Sequence, residues 1–230
     1  MTRETFDREL KKLNERILRL GNAVEEDILK TAVALKERDM RTSREMIAVD
    51  EWVNTQRIEI MMAAFTLIAT QQPTGPDMRA LAATIEIAGE LERIHDYVKG
   101  IGKISLKLSE TALPVSSAEM ILQMAATTSV MLQQALDAFA ANDAAAARAI
   151  PAQDDEVDEL YRQISYDLAT MVIQDNAAYE NVNLVQWAVH NLERSADRVI
   201  NICEWVVYKA VGKYVEMDSE YEAPATLPSH

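Results

Sequence analysis

The chain is 230 residues long and 49% hydrophobic, and it carries 37 acidic against 23 basic residues for a formal charge of −14. That length and apolar content can supply a real core. The charge argues against nucleic acid as a partner, because such binding is driven by Lys and Arg neutralising phosphates. With six Gly and six Pro among long runs of good helix formers, and no alternating pattern, the composition predicts an all-α protein. Cys203 is the single cysteine, so no intramolecular disulfide can form, and it reads as a small buried hydrophobe. The N-terminus lacks an apolar signal-peptide core, and the longest weakly polar run falls far short of the roughly 20 residues that span a bilayer. The expected location is therefore the cytoplasm.

In chain order, Phe6, Leu10, Leu13, Ile17, Leu20, Val24, Ile28 and Leu35 keep a three-and-four spacing that predicts one long helix from about Arg3 to Glu37. Asp39 is placed to cap a second helix, which runs until Gln71-Gln72-Pro73-Thr74-Gly75-Pro76 breaks it. A third begins near Asp77, with Thr74 and Asp77 spaced as a capping pair and Pro76 tolerable in the first turn. Its apolar seam is Ile87, Leu91, Ile94, Val98, Ile101 and Leu108, and Glu92 and Asp96 stand one position round from that seam. After Leu113-Pro114-Val115, Ser116 with Glu119 reads as a capping box for a fourth helix ending near Asn142. Asn142 or Asp143 can cap a fifth, which Pro151 should kink or interrupt before Val157, Leu160, Ile164 and Leu168. Gln174-Asp175-Asn176 closes it, and a sixth helix starts around Tyr179.

The informative feature is a repeat. Leu91-Glu92-Arg93-Ile94-His95-Asp96 returns as Leu192-Glu193-Arg194-Ser195-Ala196-Asp197, at a shift of 101 residues. Residues four apart on a helix share a face, so Glu92 with Asp96 and Glu193 with Asp197 each present two carboxylates side by side. At a shift of 104, Asp50-Glu51-Trp52-Val53-Asn54 lies over Asp154-Asp155-Glu156-Val157-Asp158, which adds an acidic pair that is complete as Asp154 and Asp158 and incomplete as Asp50 and Asn54. The architecture that follows is two tandem three-helix bundles related by a pseudo-twofold internal repeat. The first covers residues 1–112, the second 113–216, and 217–230 forms an acidic, frayed tail. In each half two acid-bearing helices come together, a constellation of oxygen ligands suited to hard or borderline cations.

At this point the sequence resembles the PhoU family of phosphate-signalling accessory proteins. The resemblance runs from about residue 5 to 215 and rests on the two Leu-Glu-Arg-x-x-Asp segments, the six-helix tandem layout and the turn Leu67-Ile68-Ala69-Thr70-Gln71-Gln72-Pro73 with Asp77-Met78-Arg79. It implies a non-enzymatic, cytoplasmic regulator of phosphate uptake that represses the phosphate-starvation response. The implied partners are the ATPase subunit of a phosphate ABC transporter and a membrane sensor histidine kinase, with the membrane reached only through them. It also implies metal at the acidic motifs, iron or zinc first and magnesium or manganese as alternatives. Carried over by position, the ligands are Glu193, Asp197, Asp154 and Asp158 in the second half and Glu92, Asp96 and Asp50 in the first. Arg93 and Arg194 can steady the carboxylates beside them or form ordinary surface ion pairs.

Two departures from the family pattern stand in this chain: His95 and Ala196 where Gly is usual, and Asn54 where an acid is typical. An amide oxygen is a poorer ligand than a carboxylate, so the second site is expected to be the better one. His95 lies three residues after Glu92, the Glu-x-x-His spacing of ferritin-like di-iron proteins, but Ala196 breaks the motif's second copy, and a rim or packing role is preferred for the imidazole. The rival functions are therefore a ferritin-like redox or storage protein, a metal-free helical interaction module, and regulation of an ion-coupled phosphate transporter. No Gly-rich phosphate loop or nucleophile with a plausible base stands out. Met61, Met62 and the other methionines read as core filling, and Trp52, Trp187 and Trp205 as core or interface anchors. A homodimer is expected from exposed apolar seams.

Overall fold

The computed structural model describes residues 3–108 and 115–217. The helices are α1 (Arg3–Glu37), α2 (Met40–Gln71), α3 (Pro76–Lys107), α4 (Val115–Ala141), the short α5 (Ala144–Ala149), α6 (Asp154–Gln174) and α7 (Tyr179–Val211). The all-α expectation holds, with six long helices and no strand among the described residues. Pro151 interrupts the fifth helix as its chemistry requires: α5 ends two residues before it, a 3₁₀ turn covers Pro151–Gln153, and α6 starts afresh at Asp154. The frayed-tail expectation for residues beyond Met217 lies outside the described residues, as does the segment 109–114.

Two predicted caps form. The Asp39 carboxylate accepts from the Arg41 and Thr42 amides, and the Asp143 carboxylate accepts from Ala145 and Ala146. Two others do not. Gly75, at φ +53, takes the cap position of α3 without a side-chain bond, and the Asp77 carboxylate instead accepts from the Arg3 guanidinium. Ser116 lies inside α4, which already begins at Val115, and Glu119 accepts from Lys36 Nζ at 2.6 Å. In both places an ion pair to a residue more than 70 positions away replaces the local box.

In the first half α1, α2 and α3 pack on one another, and in the second α4, α6 and α7 do the same. The halves meet where α1 packs on α4 and α3 on α7, leaving α2 and α6 each against its own half. One core runs through both, from Ile17, Val24, Ile28, Leu91 and Ile94 to Phe139, Val157, Leu192 and Val199. The α3–α7 contact is antiparallel and shows the repeat at atomic level. Glu90 Oε2 faces Asn201 Nδ2 at 3.3 Å, and its image at a shift of 101 is Gly100 facing Asn191. A Cβ at Gly100 would stand 2.7 Å from Asn191 Nδ2, so a larger residue there would oblige the Asn191 side chain to swing aside.

Not every apolar residue is inside. Met62 is exposed, contrary to the expectation of core filling, whereas Met46, Met124 and Met131 are buried; Trp52 and Trp187 are exposed, which excludes the core alternative for them and leaves the interface one. Trp205 sits among Tyr208 and Tyr214 with ring centroids 5.5 and 5.0 Å away. Cys203 is buried as expected, and burial, with the neighbouring Glu204 charge, pushes its thiol up to about 12, where it is inert as a nucleophile.

Candidate functional site

The two acidic sets sit where sequence spacing puts them, at the edge of each half's core. In the first half, Asp50 comes from α2 and is nearly buried, because position 50 falls on the same face as Met46 and Val53. Glu92 and Asp96 come from α3, half-buried and exposed respectively, beside the buried Leu91, Ile94 and Val98. Lys99 Nζ lies 2.5 Å from Asp50 Oδ2 and 3.6 Å from Asp96 Oδ1, so one ammonium joins the acids of α2 and α3. Asn54 Nδ2 donates to the same Asp50 oxygen at 3.3 Å.

His95 is not a rim residue. It is fully buried, with Nε2 3.4 Å from Asp27 Oδ2 on α1 and Nδ1 3.6 Å from Asp50 Oδ1. These contacts lack hydrogen-bond geometry, and both ring nitrogens and Asp50 Oδ1 are buried without a hydrogen bond. Asp27 was not singled out in the sequence. Its signal was there all the same, since an acid stands on the α1 face that carries Val24, Ile28 and Thr31.

In the second half, Asp154 opens α6 and is nearly buried, and Asp158 follows one turn later, half-buried. Glu193 and Asp197 come from α7, both half-buried. Burial first, then the charges of Asp158, Asp197, Glu193 and Asp155, push the Asp154 carboxyl up to about 7. Asp158, Glu193 and Asp197 thus all lie within electrostatic reach of Asp154. Within α7, Arg194 donates to Asp197 Oδ2 at 2.6 Å and His190 Nδ1 lies 3.3 Å from Glu193 Oε2. Arg194 thus steadies its neighbouring acid, while Arg93 lies 3.6 Å from Glu90 instead.

The equivalent carboxyls of the two halves are pushed in opposite directions. Burial raises Asp50 too, but the bond and charge of Lys99, aided by His95, outweigh it and hold that carboxyl below its usual range. Glu92 is raised, chiefly by burial and then by Asp96, with Arg57 opposing.

All seven predicted ligands offer carboxylate oxygen, which suits hard and borderline cations. Among the described residues no group of three or more His, Cys, Asp or Glu side chains converges closely enough to hold an ion as the side chains stand.

A family model described as the PhoU domain matches residues 17–105 and again 121–206. The chain belongs to the PhoU family. A phosphate-specific transport system accessory protein PhoU homolog of Streptococcus pneumoniae is 31% identical over 216 residues, covering 94% of this chain and all of that protein. The corresponding homolog of Clostridium acetobutylicum is 29% identical, covering 95% of this chain and all of that one. Among solved structures, a phosphate transport system regulatory protein PhoU from Streptococcus pneumoniae superposes with a TM-score of 0.84 at 30% identity, covering 91% of this chain and 99% of that one. PhoU from Pseudomonas aeruginosa gives 0.85 at 27% identity, over 90% of this chain and the whole of the other.

Each match to the PhoU domain contains one acidic set: Asp50, Glu92 and Asp96 in the first, Asp154, Asp158, Glu193 and Asp197 in the second. The two domain copies share the α3–α7 and α1–α4 contacts, so their acidic sets are carried by one connected helical frame. No helix among the described residues is long and apolar enough to cross a membrane.

Proposed function

We propose that this chain is a non-enzymatic, cytoplasmic regulator of phosphate uptake and a negative regulator of the phosphate-starvation response. In this reading it is a helical adaptor between the ATPase subunit of a phosphate ABC transporter and a membrane sensor histidine kinase. The observation that supports it most is the end-to-end match, in sequence and in fold, to proteins named as phosphate-specific transport accessory proteins. Asp154, Asp158, Glu193 and Asp197, and Asp50, Glu92 and Asp96 in the first half, are the proposed metal ligands, for iron or zinc, or for magnesium or manganese. A cation bound there would neutralise like charges and tie the middle helix of a half to its last helix. That cation, with Arg194 steadying Asp197, would hold the helix spacing and so the shape of the docking surface.

The test is a phosphate-starvation reporter read in high phosphate with and without the gene. We expect expression to rise on deletion. A silent reporter would refute the regulatory role.

Two outer faces are suited to partners and to a second copy of the chain in a homodimer. Ile58, Met62 and Phe65 form an exposed stripe on α2, and Tyr166 and Ile173 are exposed on α6. Replacing Met62 and Phe65 together by Glu is expected to cut copurification of the transporter ATPase at least tenfold. Because neither side chain is buried, each change should move stability by less than about 0.5 kcal/mol. Retained copurification would place the docking surface elsewhere.

A further inference from the structure

Three aromatic side chains gather along the groove between α6 and α7, and no role described above uses them. Gln186 Nε2 donates to Ser165 Oγ at 2.9 Å, which sets the antiparallel register of the two helices. One turn further along each helix, Tyr161 and His190 meet with ring centroids 6.4 Å apart at 55°. Trp187 stands edge-on to the same imidazole, at 5.9 Å and 73°. A tilted or edge-on contact covers at most one face of a ring, so π surface is left over. Much of the group is open to solvent, since Trp187 is 55% exposed and the His190 side chain 40%. At its rim, Glu193 Oε2 lies 3.3 Å from His190 Nδ1 and brings negative charge beside the rings.

The internal repeat shows which group suits this place. At the shifts of 104 for α6 and 101 for α7, Tyr161 corresponds to Arg57, His190 to Gly89 and Trp187 to Glu86, so none of the three positions carries a ring in the first half. There burial raises the Glu92 carboxyl and the Arg57 charge opposes it, which puts a guanidinium from α2 within reach of the acid on α3. A Cβ at Gly89 would touch nothing, so the space that an imidazole takes in the second half stays open in the first. Where the first half has a guanidinium of its own, the second has ring faces on which a guanidinium lies well. Charge separates the candidate guests. A wholly apolar segment would bury the rim carboxylate with no compensating charge. An ammonium is compact and strongly hydrated, whereas a guanidinium is planar, stacks on aromatic faces and turns its N–H fork toward a carboxylate. The formal charge of −14 also steers a basic segment toward the chain.

We propose that Tyr161, Trp187 and His190 form a docking notch for an arginine side chain carried on a basic segment of a partner protein. The notch goes beyond the regulatory reading and does not depend on it, because the rings offer the same surface whichever transport system the chain serves.

The experiment is an NMR titration of the isotope-labelled full chain, in chelator at pH 8, with a short acetylated oligoarginine peptide. It follows the indole N–H signals of Trp52, Trp187 and Trp205, assigned by replacing each in turn with Phe. The Trp187 signal should shift and saturate while the other two stay in place. Uncharged oligocitrulline of the same length should move none of them, and oligolysine should bind roughly threefold more weakly at this signal. Followed at the His190 amide, Tyr161→Leu should weaken oligoarginine binding roughly threefold and Trp187→Leu roughly fivefold, with Trp187→Phe, which keeps a ring, falling between wild type and Trp187→Leu. Circular dichroism of each variant confirms that the helices persist. Binding that leaves the Trp187 signal unmoved, an equal response to oligolysine or oligocitrulline, unchanged affinity in both Leu variants, or no binding at all overturns the notch. None of these outcomes bears on the phosphate-starvation reporter, so the two readings fail separately.

Discussion

Asp154→Asn is expected to stabilise the metal-free protein at pH 8 and to leave it nearly unchanged at pH 4. The folded carboxyl is raised to about 7 against an ordinary 3.8, so between those values the folded state holds a proton that the unfolded state has released. Stability from this group therefore falls as pH rises through that window, and the penalty is complete above about 7. A three-unit gap corresponds to about 4 kcal/mol, and we expect roughly 2 to 4 kcal/mol to be recovered by the neutral amide at pH 8. The helix N-terminus at which Asp154 sits pulls the other way, but by only about 0.3 to 1 kcal/mol, so burial and the four neighbouring acids win. Denaturant midpoints of both proteins in chelator, at pH 4 and pH 8, measure the difference directly and cancel the other carboxylates. Equal midpoints at pH 8 would mean that Asp158, Glu193 and Asp197 do not strain Asp154. In the wild type, a bound cation should release a proton below pH 7 and remove the same penalty.

Much of this fold could be read from spacing alone, for a physical reason that also marks the limit. α1 and α7 are long and uninterrupted, with apolar seams that meet a continuous core, so the bounds Arg3–Glu37 of α1 and the start of α7 at Tyr179 follow from periodicity. Asp39 and Asp143 cap because their partners lie two and three residues away. Thr74 with Asp77 and Ser116 with Glu119 obey the same rule of spacing, yet Arg3 and Lys36 arrive from other helices and take the acids. A cap and an exposed ion pair are worth about the same, near 1 kcal/mol, so tertiary placement decides between them.

The acidic sets show the same division. Their residues were legible because they recur at a fixed shift. What surrounds each set was not, because Asp27 reaches His95 only through the packing of α1 on α3, and Lys99 reaches Asp50 only through that of α2 on α3. Asn54 against Asp158 is the part of the asymmetry that one segment displays; the rest, Lys99 and His95 around Asp50, is a property of three helices at once.

Leu91→Ala and Leu192→Ala should each lower one and the same unfolding transition. Both leucines are fully buried and open the repeated segment at equivalent places on α3 and α7. Truncating a buried leucine costs about 2 to 5 kcal/mol in transfer energy and residual cavity. For a chain of this size that is a fall in Tm of roughly 5 to 15 °C. Sequence boundaries divide the chain at residues 112 and 113, and two independent bundles would melt separately, with each substitution moving only its own half. The structure argues for joint melting. α3 packs on α7 and α1 on α4, Glu90 on α3 meets Arg198 and Asn201 on α7, and Glu25 on α1 accepts from Ser129 on α4. Opening either bundle would strip apolar surface and buried polar partners from the other. Scanning calorimetry decides it: a single transition whose calorimetric and van't Hoff enthalpies agree, shifted by either substitution, is the expected result. Two transitions moved one at a time would show that the repeats are separate folding units joined only by contact.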